Sequence, residues 1–258
     1  MPLVLLTAAE EDVEETLEKL SASDLNALHL PLERYVPVEA EEKTEELLGR
    51  LDEFEQIAYG SLRNARFFLE AVRERGLLEE VRGRVNLAVN PRTASWLEER
   101  DVPAICADLN ALGQSGDGGS RGGRAIDLME FLLRLRRTGP TLYPCGLETP
   151  EELPGLLREL DMPVEELVLF RSKGPGEDRL EAYRTRLAER PPDAVVFHSR
   201  RAVVRTLAAF PELDLDAATL VTADTGITQK LREEGAEADL EAGGSWESIV
   251  EKLAGAWG

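Results

Sequence analysis

The sequence predicts an α/β protein with two parallel sheets covered by helices. Three observations predict this class: short apolar runs alternate with longer amphipathic segments, a strand–turn–helix stretch is repeated, and two connectors divide the chain. The chain has 258 residues, of which 43% are hydrophobic, so it can bury the core of one large or two small domains. Strand–helix alternation is typical of parallel sheets with helices on both faces.

Short apolar runs are the predicted strands. They are LVLLT (3–7), ALHLPL (27–32), QIAYGS (56–61), VNLAV (85–89), PAICA (103–107), TLYPC (141–145), ELVLF (166–170), AVVFHS (194–199), TLVTA (219–223) and AEADL (236–240). The segments between them carry apolar residues at helical spacing, such as Leu153, Leu156, Leu157 and Leu160. One sheet of all these strands would be unusually wide, so two sheets of about five strands each are expected.

A repeat within the chain favours two related halves. YGSLRNARFFLEAV (59–72) aligns with FHSRRAVVRTLAAF (197–210), which pairs Ser61 with Ser199 and Arg63 with Arg201. Each copy is followed by a second unit, LAVNPRTASWLEE (87–99) and VTADTGITQKLRE (221–233). Because the order of strand, turn and helix is the same in both copies, the repeat indicates duplicated architecture.

Two connectors set the expected domain boundaries. PLERYVPV (31–38) has prolines near both ends, and FRSKGPGED (170–178) mixes glycine, proline and charge. If both are linkers, residues 36–172 form an inserted domain, and residues 1–35 with 173–258 form the other. Two strands running between the domains would make a hinge with a cleft beside it. The glycine-rich SGDGGSRGG (115–123) is predicted to be a loop, since no clear strand precedes it in nucleotide-binding spacing.

Charge and composition exclude several classes of partner. Fifty acidic and 30 basic residues give a net charge of −20, which disfavours binding to nucleic acid or to an anionic membrane. The apolar run Leu3–Leu6 is short and has no basic flank, so neither a signal peptide nor a membrane span is expected. Cys106 and Cys145 lie far apart without metal-ligand spacing, so we expect a cytoplasmic protein without a metal site.

Hydroxyl and basic side chains cluster just after the predicted strands, where ligands bind in open parallel sheets. Hydroxyls, guanidinium groups and helix N-termini together suit carboxylates or phosphates. The residues predicted to bind such an anion are Ser61, Arg63, Arg92, Thr93, Arg171, Ser172, Ser199, Arg201, Thr225 and Gly226.

Familiar catalytic motifs do not occur in the sequence. It contains no phosphate-binding P-loop, no HExxH helix, no GxSxG elbow and no cysteine–histidine pairing. His29 lies inside an apolar run and is expected to be a core residue with a satisfied ring. His198, beside Ser199 at a strand end, is a candidate proton donor, although the sequence identifies no carboxylate partner for it. The identity of the catalytic residues therefore stays open.

Taken in order, the motifs resemble those of the uroporphyrinogen-III synthase family over almost the whole chain. They are LVLLT (3–7), YGS (59–61), AVNPRTA (88–94), VEELVLFRS (164–172), FHS (197–199) and WESIV (246–250). The resemblance implies two flavodoxin-like domains, here with parallel five-stranded sheets, joined by a two-stranded hinge. It also implies an active site in the cleft, no cofactor and a monomer.

The same resemblance implies a substrate and a reaction. The linear tetrapyrrole hydroxymethylbilane would lose its hydroxyl as water and close through a spiro intermediate with inversion of its last ring, giving uroporphyrinogen III. Because this substrate is a polycarboxylate, it would account for basic strand ends in so acidic a protein.

Several positions depart from the family pattern. The hinge tyrosine, a proposed proton donor, corresponds to Phe170, and the turn glycines correspond to Asn90 and Asp224; further departures are Ala8, Cys145 and Ile227. Two interpretations follow: catalysis rests mainly on holding a reactive bilane in a wrapped conformation, or the chain is a two-lobed tetrapyrrole- or anion-binding protein without the chemistry. The strand-end hydroxyls that remain favour the first. A sugar- or amino-acid-binding protein is disfavoured, because such proteins usually carry an export signal.

Overall fold

A computed structural model describes residues 1–39, 42–106, 125–134, 136, 138–148 and 152–257; the glycine-rich segment 115–123 lies outside these ranges. The strands are β1 (Leu3–Leu6), β2 (Asn26–His29), β3 (Arg34–Pro37), β4 (Gln56–Tyr59), β5 (Val85–Ala88), β6 (Ala104–Cys106), β7 (Thr141–Gly146), β8 (Val164–Lys173), β9 (Ala194–Phe197), β10 (Thr219–Thr222) and β11 (Leu240–Glu241). The α-helices are α1 (Glu10–Ala22), α2 (Glu42–Gly49), α3 (Leu62–Glu74), α4 (Leu78–Arg82), α5 (Pro91–Glu98), α6 (Ala125–Arg134), α7 (Glu152–Glu159), α8 (Glu177–Glu189), α9 (Arg200–Ala209), α10 (Thr225–Glu233) and α11 (Trp246–Trp257).

The chain divides into two compact units. The first combines Met1–Tyr35 with Lys173–Gly258, and the second is Val36–Ser172. The chain passes between them twice, once inside β3 and once at the end of β8. None of the helices in the described ranges is both long enough and apolar enough to cross a membrane.

The sheet of the first unit has five strands in the order β11-β10-β9-β1-β2, and every neighbouring pair is parallel. Numbered along the chain within this unit, the strands lie in the order 2-1-3-4-5. This is the strand order of flavodoxin-like folds, in which the ligand crevice lies at the carboxyl edge of the sheet.

The sheet of the second unit runs β3-β8-β7-β4-β5-β6. The four pairs from β8 to β6 are parallel. Numbering can begin at β7, so that β7 and β8 become strands 1 and 2 and β4, β5 and β6 become strands 3, 4 and 5. The order in the sheet is then again 2-1-3-4-5, so this unit is a circular permutation of the first. In this comparison β4 and β5 take the places of β9 and β10, the strands that the sequence repeat pairs.

The predicted fold class is confirmed, with one difference in strand number. Each predicted run overlaps a strand, and the two sheets are α/β as expected. The second sheet has six strands and is mixed, because Arg34–Pro37 of the first connector pairs beside β8. An edge position tolerates Pro37, whose nitrogen cannot donate to a neighbouring strand.

Apolar residues fill the central strands of both sheets. All four residues of β1, β4 and β9 are buried, as are all six of β7. Such continuous burial is expected where helices cover both faces of a parallel sheet. A buried polar contact in the second unit is the hydroxyl of Tyr59, which donates to Asn86 Oδ1 at 2.9 Å, and burial raises the pKa of this tyrosine well above its usual value. The well-packed strands hold the strand ends, and hence the helix starts, in fixed positions.

Candidate anion-binding site

In each unit, two helices begin side by side at the carboxyl edge of the sheet. In the second unit α3 follows β4 and α5 follows the adjacent β5; in the first unit α9 follows β9 and α10 follows the adjacent β10. The same backbone contact joins each pair of strand ends. Val89 N–H donates to the Tyr59 carbonyl oxygen at 3.1 Å, and Ala223 N–H donates to that of Phe197 at 3.1 Å. The sequence repeat therefore corresponds to a repeated local structure.

A serine caps the first helix of each pair. Ser61 Oγ accepts the backbone N–H of Asn64 at 3.1 Å, and Ser199 Oγ accepts that of Ala202 at 3.0 Å. The Ser61 hydroxyl also donates to the Asn64 side-chain Oδ1 at 2.9 Å. Both predicted hydroxyls thus fix the helix start, and the other first-turn N–H groups have no partner within their own helix.

The second helix of each pair is capped by the residue that replaces a turn glycine of the family pattern. Asn90 Oδ1 accepts the backbone N–H of Thr93 at 2.9 Å, and Asp224 Oδ1 accepts that of Ile227 at 3.0 Å. Asn and Asp are among the best N-cap residues. These two departures therefore have a structural explanation, namely that a side chain of the protein caps the helix.

The four helices differ in charge from the others whose first turn is described. The first turns of α3, α5, α9 and α10 contain no acidic residue. Those of α1, α2, α4, α8 and α11 each contain at least one. An acid in the first turn stabilises a helix through its dipole, and this chain is rich in acids. The starts of α3, α5 and α9 are therefore suited to external negative charge, whereas the start of α10 already has the carboxylate of its Asp224 cap.

Three arginines add positive charge at these helix starts. Arg63 lies in the first turn of α3, Arg92 in that of α5 and Arg201 in that of α9, and the Arg63 and Arg201 side chains are half-buried. In α9 the neighbouring Arg200 donates from Nε to the Gly226 carbonyl oxygen at 3.3 Å, which links α9 to α10. The start of each helix pair can therefore offer both guanidinium and backbone N–H donors to a carboxylate.

The start of α10 already holds a carboxylate of the protein. Thr225 Oγ1 donates to Glu241 Oε1 at 2.8 Å, and Thr228 Oγ1 donates to its Oε2 at 2.7 Å. The hydrogen bonds from Thr228 and Thr225 lower the pKa of Glu241, against a smaller opposing effect of burial. This helix start has the chemistry to bind a carboxylate, although Glu241 would compete with a ligand for Thr225.

The remaining predicted residues occupy other environments. Thr93 is fully buried in the first turn of α5, and its Oγ1 has no hydrogen-bond partner in the described part of the chain. Arg171 is exposed and Ser172 half-buried, and both lie within β8 rather than at a helix start. Phe170 is 5% exposed and stacks on Phe67 with ring centroids 4.6 Å apart. A phenyl ring packed in this way supplies no proton.

The two histidines have different surroundings. His29 Nε2 donates to the Ala8 carbonyl oxygen at 2.9 Å, so its ring is satisfied. His198 follows β9, and its Nε2 lies 3.5 Å from Glu33 Oε1, a carboxylate partner that was not predicted from the sequence. Arg205 Nη1 donates to the other Glu33 oxygen at 2.6 Å. Glu33 is far from His198 in sequence, and no local pattern predicts their contact.

Within the described residues, no group of three or more His, Cys, Asp or Glu side chains could hold a metal ion. The helix starts, in contrast, form two matched sets of hydroxyl, N–H and guanidinium donors. Each set, taken by itself, has the chemistry to bind carboxylates.

Comparison with known proteins shows a match along most of the chain. The family model described as uroporphyrinogen-III synthase HemD matches residues 14–245. Uroporphyrinogen-III synthetase from Helicobacter pylori aligns with a TM-score of 0.67 and 15% identity, covering 100% of this chain and 99% of that one. A mutant uroporphyrinogen III synthase from Thermus thermophilus aligns with a TM-score of 0.61 and 16% identity, covering 100% and 98%. No curated protein matches the chain in sequence.

Proposed function

The chain belongs to the uroporphyrinogen-III synthase family, and from this premise we propose that it converts hydroxymethylbilane into uroporphyrinogen III and water. The reaction class is that of a cyclising hydro-lyase in porphyrin biosynthesis. In this proposal the two compact units act as two domains, each of which binds part of the substrate's carboxylates.

One observation carries the proposal, namely the two matched pairs of helix N-termini without acids in their first turns. A helix N-terminus offers backbone N–H donors and a partial positive charge, each of which favours a carboxylate. Arg63, Arg92 and Arg201 can add charge-assisted hydrogen bonds. A polycarboxylate substrate can use several such sites at once, as a ligand with a single carboxylate cannot.

The chemistry of the substrate gives these contacts a catalytic role. Loss of the hydroxyl leaves a cation that the electron-rich pyrrole stabilises as an azafulvene. The decisive step is then attack at the substituted end of the last ring, which requires a wrapped chain. Holding a flexible substrate in a reactive conformation can lower a barrier by several kcal/mol, up to about 10. Contacts to carboxylates far from the reacting carbon would supply this positioning.

The test is a product analysis on the purified full-length chain. Hydroxymethylbilane is supplied directly, the reaction is stopped at short times, and the oxidised products are separated as type I and type III isomers. Hydroxymethylbilane closes without enzyme to the type I isomer, so a protein-free reaction serves as the baseline. We expect type III to predominate. Saturable binding with only baseline type I product would instead identify a binding protein.

Arginine variants test whether the helix starts bind the substrate. Arg63→Ala and Arg201→Ala should each raise KM by about tenfold, the effect of losing a hydrogen bond to a charged group worth about 1.5 kcal/mol. Arg186→Ala is the matched control, since this arginine is exposed on α8 and lies outside the candidate site. If KM of the first two variants stays at the control value, these arginines do not bind substrate.

A further inference from the structure

A second set of side chains meets at the carboxyl edge of the first unit, around His198. The His198 ring stacks on that of Trp246, with centroids 5.7 Å apart and an interplanar angle of 22°. Its Nε2 lies 3.5 Å from Glu33 Oε1, and Arg205 Nη1 donates to Glu33 Oε2 at 2.6 Å. The four residues come from four places in the chain: the end of β9, the segment after β2, α9 and the first residue of α11.

Glu33 is held in an orientation that suits a partner for the imidazole. Its side chain is only 6% exposed, and glutamates are rarely so buried unless they are paired. The ion pair with Arg205 engages one carboxylate oxygen, while the other faces His198. Two backbone bonds place the segment before Glu33 along the end of β1: Leu30 N–H donates to the Leu6 carbonyl oxygen at 2.9 Å and Leu32 N–H to that of Thr7 at 3.0 Å. The carboxylate is therefore fixed by both the side-chain pair and the backbone.

The ring nitrogens of His198 are not used in structural hydrogen bonds. Both ring nitrogens are buried, and neither makes a hydrogen bond within the described part of the chain, since 3.5 Å to Glu33 is long for one. Buried polar atoms of this kind call for an explanation, of which a catalytic role is one. The side chain as a whole retains 13% exposure, so part of it reaches the protein surface.

We propose that His198 is the general acid of the reaction and that Glu33 is its positioning residue; the inference rests on the proposed function. With Nε2 directed at Glu33, the imidazolium donates its Nδ1 proton to the hydroxyl oxygen of hydroxymethylbilane, a step that requires the bound substrate to uncover this buried nitrogen. The C–O bond then breaks, water leaves, and the pyrrole nitrogen lone pair forms the azafulvene cation. The neutral imidazole takes up the proton that the product releases when its last ring regains aromaticity, so the proton balance closes.

Two charged groups contact the cluster around the ring. They are Glu33 from the segment after β2 and Arg205 from α9, while α11 contributes the uncharged Trp246. The Glu33 carboxylate faces Nε2 and can orient the ring. Glu33→Gln removes this charge but keeps the size of the side chain, so kcat should fall while KM changes little.

The experiment compares kcat and KM of full-length His198→Gln, Glu33→Gln and wild type, with His29→Gln as the matched control at the other histidine. We expect His198→Gln to lose about 100-fold in kcat, within the usual range for general acid catalysis, with little change in KM. Glu33→Gln should lose less in kcat, again with little change in KM, a split that a merely structural role would not produce. If His198→Gln fails to fold, His198→Phe preserves the ring stacked on Trp246.

The outcomes separate this inference from the proposed function. If wild type makes no uroporphyrinogen III, the proposed function fails before any variant is compared. If wild type makes it and folded His198 variants keep the wild-type kcat, only the histidine assignment is overturned. If folded Glu33→Gln keeps the wild-type kcat, the positioning role of Glu33 is overturned.

Discussion

Replacing Gly60 with alanine should destabilise the second unit, because the residue before the Ser61 cap has no room for a side chain. A Cβ at Gly60 would lie 2.0 Å from the Tyr143 hydroxyl oxygen and 3.0 Å from its Cζ. Tyr143 is 2% exposed and fixed in β7, so its ring cannot swing away. Relief requires a shift of about 1 Å in packed structure, and such overpacking costs about 1–3 kcal/mol. The melting temperature of this unit should fall by about 4–12 °C.

Differential scanning calorimetry, with circular dichroism as a check on folding, measures this loss. Gly155→Ala is the matched control: Gly155 is inside α7, a Cβ there meets nothing within 4 Å, and alanine should stabilise the helix by up to about 1 kcal/mol. Adding Tyr143→Phe to Gly60→Ala should restore part of the loss relative to Tyr143→Phe alone, since the nearest atom is removed. A Gly60→Ala protein as stable as wild type, or a loss of stability unaffected by the tyrosine change, would show that Tyr143 does not exclude a side chain at position 60.

Two further predictions concern the helix starts. Ser199→Ala should lower the free energy of unfolding, measured by urea denaturation, by about 1 kcal/mol, because the Ala202 N–H loses its acceptor. Ser199→Asp should keep the wild-type stability but raise KM. An unchanged KM would argue against a substrate carboxylate at this site. Thr228→Val should raise the pKa of Glu241 toward its ordinary value, and more than Thr225→Val does, as measured by NMR titration. Because this pKa is lowered in the folded state, its stability contribution exists above the unfolded pKa and is lost as pH falls through the folded value. The stability deficit of Thr228→Val should therefore be present at neutral pH and shrink in acid; a deficit equal at both would contradict the assignment.

The sequence predicted the sheets well because strand ends and helix starts are local features. The runs around Leu3–Leu6 and Ala194–Phe197 are continuous and apolar, as buried parallel strands require, and the repeat located the matching pairs of helices. The repeat also distinguished Ser199 and Arg201 from the neighbouring charges. β3 lacks this pattern, since an edge strand needs neither continuous burial nor a full set of N–H donors.

The site was predicted less completely because its remaining contacts depend on tertiary structure. Glu33 meets His198 only because strands β2, β1 and β9 are neighbours in the sheet, which brings together distant parts of the chain. Arg205 is not among the residues predicted to form the site, yet it pairs with the buried Glu33 carboxylate. Asn90 and Asp224 stand where the family pattern has turn glycines, and the sequence gives no reason for this difference. The structure explains it, because each side chain caps the N-terminus of a helix.

The isomer of the product formed from pure hydroxymethylbilane is the most direct test of the central claim. In the proposed function, the two matched pairs of helix starts bind carboxylates of the substrate and hold it so that it closes with its last ring inverted. We therefore expect wild-type protein to yield mainly uroporphyrinogen III, faster than the protein-free reaction yields type I. Type I alone, formed at the protein-free rate, would contradict it.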